Sequence, residues 1–308
     1  MTDNLTRLCA LIKEYNEAHN EQIQIEYNEP LSRHTTFRIG GIADLYITPP
    51  TLQSLKDLCG MVKECGVRHY FLGNGSNVIF DDEGFCGAVI SLCALRGITC
   101  DGCTVSAEAG VSFTALSKVA RDNSLTGLEF ANGIPGTVGG AVYMNAGAYN
   151  GEVAFVLKES TYLDLDTLEV KTISLEEHNF GYRDSIYKHT NRLILSAKFE
   201  LKNGNKDEIT EMMNDFMNRR VSKQPLEYPS AGSVFKRCPG RYTAQMIDEA
   251  GLKGFKIGGA QVSEKHAGFI INIGGATSAD VLALIKHIQA VILEKFGCAI
   301  QCEVIYVK

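Results

Sequence analysis

The chain has no apolar run approaching the roughly 20 residues that a helix needs to cross a bilayer, which excludes an integral membrane protein of the helical kind. Its opening residues, Met1-Thr-Asp-Asn-Leu-Thr-Arg7, lack the apolar core of a secretory leader, so a cytoplasmic location is expected. It also lacks an excess of basic charge: 30 Lys and Arg stand against 36 Asp and Glu, a formal net charge of −6. Nucleic-acid grooves and anionic membrane surfaces call for clustered Lys and Arg, so neither is expected as a partner, although a local basic pocket is compatible with this balance. Disorder is excluded by a composition that is 45% hydrophobic and 21% charged. The ten cysteines have none of the regular spacing of a secreted disulfide framework and are read as thiols. The one close pair, Cys100-Asp-Gly-Cys103, has no second pair or histidines at zinc spacing, and Asp-Gly is a common turn, so no metal is expected.

What is present is 308 residues of alternating α and β pattern, enough for two or three closely packed domains. Leu5, Leu8, Ile12 and Tyr15 predict a peripheral helix over 3–19, and 43–48 alternates as a strand. A helix carrying Leu52, Leu55, Cys59 and Val62 is closed by Gly66, and short strands follow at 69–72 and 78–80. A strand over 103–109, a helix over 112–123 and a hairpin over 156–173 come next, with Ser174-Leu-Glu-Glu177 resembling a capping box. After a strand over 193–201, Lys202-Asn-Gly-Asn205 is the most plausible boundary. Ile209, Met212, Met213, Phe216 and Met217 form the stripe of a helix over 206–221. The remainder reads as a turning loop over 223–237, a helix over 243–250 stopped by Gly251, a strand over 269–272, a helix capped by Ser278 and ended by Gly297, and a last strand over 300–307.

Two glycine-rich stretches stand out. Residues 127–151 are dense in Gly, Ala and Asn, which suits either a wall against a large ligand or tight turns between short strands. No Lys-Ser or Lys-Thr follows Gly139-Gly140, so this is not a nucleoside-triphosphate loop. Gly73-Asn-Gly-Ser-Asn77 leaves a buried strand as a dinucleotide fingerprint does, but Val78 stands where the third glycine belongs. The amides of Gly75, Ser76 and Asn77 suit an anion nest, and a hairpin turn is the other reading. A second group comprises Tyr182, Arg183, Ser233 and Glu303, with Arg220 and Lys223 near them in sequence. A fixed cation, a hydroxyl and a carboxylate suit a substrate whose carboxylate adjoins a reactive carbon, because the cation stabilises enolate charge while the hydroxyl delivers a proton. Glu303, inside an apolar strand, is either paired, shifted in pKa, or on the exposed face of an edge strand.

His34-Thr-Thr-Phe-Arg-Ile-Gly-Gly41, Leu72-Gly-Asn-Gly-Ser-Asn-Val78, Gly133-Ile-Pro-Gly-Thr-Val-Gly-Gly140 and Tyr182-Arg-Asp-Ser185 are followed by Ala231-Gly-Ser-Val-Phe-Lys236, Ala250-Gly-Leu-Lys-Gly254 and Gly259-Ala-Gln-Val-Ser-Glu-Lys-His-Ala267. In this order they resemble the motif series of the UDP-N-acetylenolpyruvoylglucosamine reductase (MurB) family, from about Leu31 onward. The resemblance implies an α+β protein: two α/β subdomains (31–98 and 99–202) forming a vanillyl-alcohol-oxidase or PCMH-type FAD-binding fold, after an N-terminal helix and lead-in over 1–30. A C-terminal α/β substrate domain would occupy 203–308. It implies FAD held by Arg38, by Gly73, Asn74, Gly75, Ser76 and Asn77, and by Ile134, Pro135, Gly136, Thr137, Val138 and Gly139, above a small-residue floor over 141–147. It further implies NADPH as co-substrate and UDP-N-acetylglucosamine enolpyruvate, a peptidoglycan precursor, as the small-molecule partner of a monomer. Ser233 would be the proton donor, Arg183 and Glu303 the pair acting on the carboxylate and enol, and Tyr182, Arg220 and Lys223 substrate contacts. The alternative is an FAD-dependent oxidase of the same fold. The short span from Arg183 to Lys223 is similar to the shorter form of the family, lacking the segment whose tyrosine covers the substrate, and Arg237 stands where longer members carry an asparagine.

Overall fold

The computed structural model describes every residue except Met1, Asn20, Glu21 and Pro239. The chain forms two compact units that interleave in sequence. The first comprises Met1–Tyr27, Asp44–Asn74 and Gly87–Asn218; the second comprises Asn28–Ala43, Gly75–Cys86 and Arg219–Lys308. Among the described residues no helix is long and apolar enough to cross a membrane.

The first unit is built on a five-stranded sheet in the order Val170–Ser174, Leu157–Asp164, Arg192–Glu200, Thr104–Glu108, Ile98–Asp101. Every neighbouring pair in it is antiparallel. Along Arg192–Glu200 the alternation places Ala197 and Phe199 in the core and Lys198 and Glu200 outside, where they pair with Glu159 and Lys158 across the ladder. The helix Phe113–Asp122, capped by the Ser112 hydroxyl, buries Phe113, Leu116 and Ala120. Helices Asp3–Ala18 and Leu52–Cys65 pack on each other, and Gly66 ends the second in the left-handed conformation. Strand His69–Leu72 pairs in parallel with Phe85–Ser91, in a sheet that also takes Ile42–Thr48 and Gln24–Pro30.

The second unit has an antiparallel sheet in the order Ser230–Ser233, Phe269–Asn272, Ala260–Val262, Lys256–Ile257. The helix Ser278–Phe296 packs on this sheet, and its buried stripe Val281, Leu284, Ile285, Ile288 and Ile292 shares a core with Phe37, Ile39 and Ile79. Ile305–Val307 pairs in parallel with Val78–Phe80.

Several local expectations change. The helix 278–296 is capped by Thr277, in a capping box with Asp280, rather than by Ser278. Ser278 is instead the first helical residue, and the Asp82 carboxylate accepts from its amide at 2.7 Å and from that of Ala279 at 3.0 Å. The helix Lys206–Lys223 buries Ile209 and Met213, while Met212 is exposed, so its apolar stripe is narrower than the methionines suggest. Of the capping box at Ser174, only one half forms: the Ser174 amide donates to Glu177 at 2.8 Å, and the turn that follows is a single 3-10 turn, Glu176–His178. The last strand is confined to Ile305–Val307, which leaves Glu303 outside it and half-buried.

The reading of all ten cysteines as thiols is also corrected, since Cys238 and Cys298, 60 residues apart, form a disulfide. The spacing could not announce this bond. Cys298 follows the left-handed stop at Gly297, and the chain then returns along the Cys238 loop, with the Lys236 amide bonded to Gln301 O at 2.9 Å.

Two outcomes follow. Asp82→Ala removes a charged acceptor from the first turn of the 278–296 helix, which is expected to cost about 1 kcal/mol in urea unfolding; an unchanged midpoint would show that solvent serves those amides as well. Unfolded without reductant, the chain should present eight reactive thiols, rising to ten after reduction, and ten before reduction would contradict the Cys238–Cys298 bond.

Candidate functional site

In the first unit the two glycine-rich stretches meet. The His69–Leu72 strand delivers Gly73 and Asn74 to the 133–140 segment, where Asn74 Nδ2 donates to Pro135 O. A Cβ on Gly73 would lie 2.6 Å from Thr137 Oγ1. The 133–140 segment spends most of its own amides on the protein. Gly133 N donates to Thr114 Oγ1 at 3.0 Å, Val138 N to Val111 O at 2.8 Å, and Gly139 N to Ala109 O at 2.9 Å. Gly139 is there for close approach, because a Cβ would meet Ala109 Cβ at 2.9 Å. The segment is therefore a fixed shelf at the end of the Thr104–Glu108 strand, presenting Pro135 and Gly136 outward rather than a row of open amides.

In the second unit the remainder of the first loop is clasped by residues 34–36. Gly75 has φ 59°, and a Cβ on it would lie 2.2 Å from His34 O, so only glycine fits. Its carbonyl accepts from Thr36 N at 3.2 Å. Among the described residues the amides of Gly75 and Ser76 donate to no protein acceptor, which suits the oxygens of a phosphate or diphosphate. Arg38 sits exposed on the same 34–39 turn with φ 56°, held by Arg38 N to Thr35 O at 3.1 Å and Thr35 Oγ1 to Ile39 O at 3.0 Å. A nest of amides with an exposed cation on the adjoining turn, whose backbone is held, could bind the diphosphate of FAD.

Tyr182 and Arg183 occupy the tip of a tight turn in the first unit, closed by reciprocal backbone bonds between Gly181 and Asp184 of 3.1 and 3.2 Å. Arg183 is in the left-handed region at φ 55°, which a side chain this size adopts only when its surroundings impose it. They do so through the small-residue strip 141–147. Arg183 Nη2 donates to Gly147 O at 3.0 Å and Nη1 to Asn145 O at 3.4 Å. Asn145 Nδ2 donates back to Gly181 O at 3.0 Å, and Ser185 Oγ to Tyr143 O at 2.8 Å. The Tyr182 ring, 45% exposed, lies 5.2 Å from the guanidinium carbon. Asn145 is a site residue that sequence reasoning missed. It is buried with φ 43°, and its only sequence signal is that asparagine tolerates this conformation better than most residues.

Ser233 and Glu303 lie on adjoining backbones of the second unit. Ser233 is exposed at the end of its strand, with Oγ 3.4 Å from Phe235 O. The next residue, Val234, accepts from Glu303 N at 2.7 Å, and Phe235 bridges Cys302 in antiparallel register. Glu303 is held from its other side by Asn77, whose Nδ2 donates to Glu303 O at 3.2 Å and whose carbonyl accepts from Ile305 N at 3.0 Å. The arrangement brings the backbones that bear Ser233 and Glu303 onto two paired segments, with Val234 opposite Glu303. Arg220, 8% exposed, donates to Gln224 at 3.1 Å, and Lys223 is exposed at the end of the same helix.

Residues 43–167 match the FAD binding domain family, and residues 224–307 match the C-terminal domain of UDP-N-acetylenolpyruvoylglucosamine reductase. The UDP-N-acetylenolpyruvoylglucosamine reductase of Clostridium beijerinckii is 44% identical over 299 residues, covering 95% of this chain and 98% of that protein. The reductase of Clostridium perfringens strain 13 is 45% identical over 288 residues, 94% of each. The crystal structure of the reductase from Thermus caldophilus superposes with a TM-score of 0.79 at 32% identity, covering 94% of this chain and 100% of that one. With this likeness along almost its whole length, the chain belongs to the UDP-N-acetylenolpyruvoylglucosamine reductase family.

Proposed function

We propose that the chain catalyses NADPH-dependent, FAD-mediated reduction of UDP-N-acetylglucosamine enolpyruvate to UDP-N-acetylmuramate, with Arg183, Ser233 and Glu303 as its catalytic residues. The observation that carries the residue assignment is the pairing of the Ser233 and Glu303 segments through Glu303 N and Val234 O. FAD would be held by Arg38, by Gly73, Asn74, Gly75, Ser76 and Asn77, and by 134–139. When bound, it would supply the hydride-transfer chemistry, from NADPH to the methylene carbon of the enolpyruvyl ether.

The chain's own residues handle charge and the proton. Arg183, whose guanidinium is fixed by the Asn145 and Gly147 carbonyls, would hold the substrate carboxylate and stabilise the negative charge that spreads onto it as hydride arrives. The Ser233 hydroxyl would then give its proton to the adjacent carbon, completing addition of hydride and proton across the double bond. A serine is a weak acid, so this transfer needs a strongly basic acceptor and fixed neighbours. Glu303 would act with Arg183 in polarising the carboxylate and stabilising the enol. Tyr182, Arg220 and Lys223 are proposed substrate contacts, Arg220 through its buried position near the end of its helix. We assign flavin binding to 31–202 and substrate binding to 203–308, and place the enzyme in the cytoplasm as a monomer.

Ser233→Ala should leave reduction of the flavin by NADPH intact and slow its reoxidation by the enolpyruvyl nucleotide about 100-fold or more in rapid mixing. Equal rates of reoxidation in the variant and the parent would remove Ser233 as proton donor, and rapid reoxidation by air alone would indicate an oxidase. Glu303→Gln should lower turnover by about 100-fold while thermal unfolding stays near that of the parent; near-normal turnover would leave Glu303 a structural role only.

A further inference from the structure

Three buried polar side chains of the first unit take no part in the reaction as drawn. Ser160, His178 and Tyr187 are 1%, 0% and 2% exposed. Ser160 Oγ lies 2.7 Å from His178 Nε2 and 2.6 Å from the Tyr187 hydroxyl, while His178 Nδ1 lies 2.7 Å from Ser174 O. A carbonyl only accepts, so Nδ1 carries the hydrogen, and Nε2 of the neutral ring accepts from Ser160. Ser160 Oγ in turn accepts from Tyr187. Burial acts in the same sense: it holds His178 below its ordinary pKa, against the opposing backbone hydrogen bonds at Ser174 and Leu175 and the smaller pull of Glu177 and Glu176, and pushes Tyr187 up to about 12. One hydroxyl thus uses its single proton and a lone pair to join an imidazole and a phenol, and every polar atom of the three is satisfied.

The positions of these residues give the network a purpose. Ser160 belongs to Leu157–Asp164, which is paired on both edges in the five-stranded sheet. His178 ends the 3-10 turn before the Tyr182–Arg183 turn, and Tyr187 lies in the 3-10 turn after it, Ile186–Lys188. The segment 178–187 is therefore fastened at both ends to one point on a rigid strand. Between those ends the backbone passes through two left-handed non-glycine residues, Asn179 at φ 47° and Arg183 at φ 55°, and such conformations persist only where the surroundings over-determine them. Ring packing reinforces the anchor, with His178 stacked on Phe180 at 4.9 Å and edge-on to Tyr187 at 5.7 Å.

We propose that Ser160, His178 and Tyr187 are positioning residues for the substrate-reduction step, holding the 178–187 segment so that the Arg183 guanidinium meets the substrate carboxylate in register. This rests on the reading of Arg183 as a catalytic residue. The step served is the one in which charge develops on the substrate, so flavin reduction by NADPH does not depend on the network.

The test uses the flavin-loaded enzyme and its S160A, Y187F, R183A and S160A/R183A variants, with the two half-reactions followed separately by anaerobic rapid mixing. S160A should slow reoxidation by the enolpyruvyl nucleotide about tenfold or more without slowing reduction by NADPH, since small misplacements of a catalytic group carry penalties of that order. Y187F should do the same more weakly. In the R183A background S160A should have no further effect, because both changes remove one function, whereas a general structural defect would multiply the two losses. Normal reoxidation in S160A beside slow reoxidation in R183A would overturn this proposal alone. Normal reoxidation in R183A would remove the role of Arg183 and this proposal with it. If S160A fails to hold flavin, Y187F decides by the same comparison, with unchanged reoxidation again overturning the proposal.

Discussion

Thr36 bonds to two otherwise separate segments of the second unit, and the order of that unit's functional residues depends on it. Its amide donates to Gly75 O at 3.2 Å, its carbonyl accepts from Ser230 N at 3.2 Å, and its hydroxyl donates to Ser230 O at 2.7 Å. The turn that carries Arg38 is thereby fastened to the phosphate-type loop on one side and to the strand ending in Ser233 on the other. Asn77, at the far end of that loop, fixes the segment bearing Glu303. Backbone bonds, joined by those of the short Thr36 and Asn77 side chains, thus tie the Gly75 loop to the segments bearing Ser233 and Glu303, the residues proposed as proton donor and carboxylate.

The first unit solves a similar problem with different parts. Its sheet supplies a rigid strand end for the 133–140 shelf, and its small-residue strip lets the Arg183 turn dock so closely that the carbonyl oxygens of Asn145 and Gly147 accept from the guanidinium.

Elements governed by local rules were legible in the sequence. Gly66 and Gly297 stop helices, Leu5, Leu8, Ile12 and Tyr15 line one helical face, and Val78–Phe80 is a strand and not the opening of a dinucleotide-binding helix. What failed was set by tertiary partners. Met212 has the same chemistry as Met213 and lies on the wrong side of its helix, and Thr277 outcompetes Ser278 as a cap while Asp82, distant in sequence, takes the neighbouring amides. The Cys238–Cys298 bond and the interleaving of the two units are long-range facts with no local signature. The glycine-rich stretches were legible as special backbone, and the sequence reading of Gly75 and Ser76 as an anion nest agrees with amides that donate to no acceptor among the described residues; that most amides of 133–140 are already spent on the protein was not legible, because their acceptors at Thr114, Val111 and Ala109 are set by tertiary packing. Nor could the sequence reveal that Arg183 is held in a left-handed turn, or that Ser160, His178 and Tyr187 converge behind it.

The central claim is that this scaffold passes reducing equivalents from NADPH through bound FAD to an enolpyruvyl nucleotide. The most direct measurement is the flavin's visible absorbance in the purified protein under anaerobic conditions. The account predicts that NADPH bleaches it and that UDP-N-acetylglucosamine enolpyruvate then restores it in stoichiometric amount. A correctly folded protein that takes up no FAD, or a reduced flavin that persists when the nucleotide is added, would contradict it.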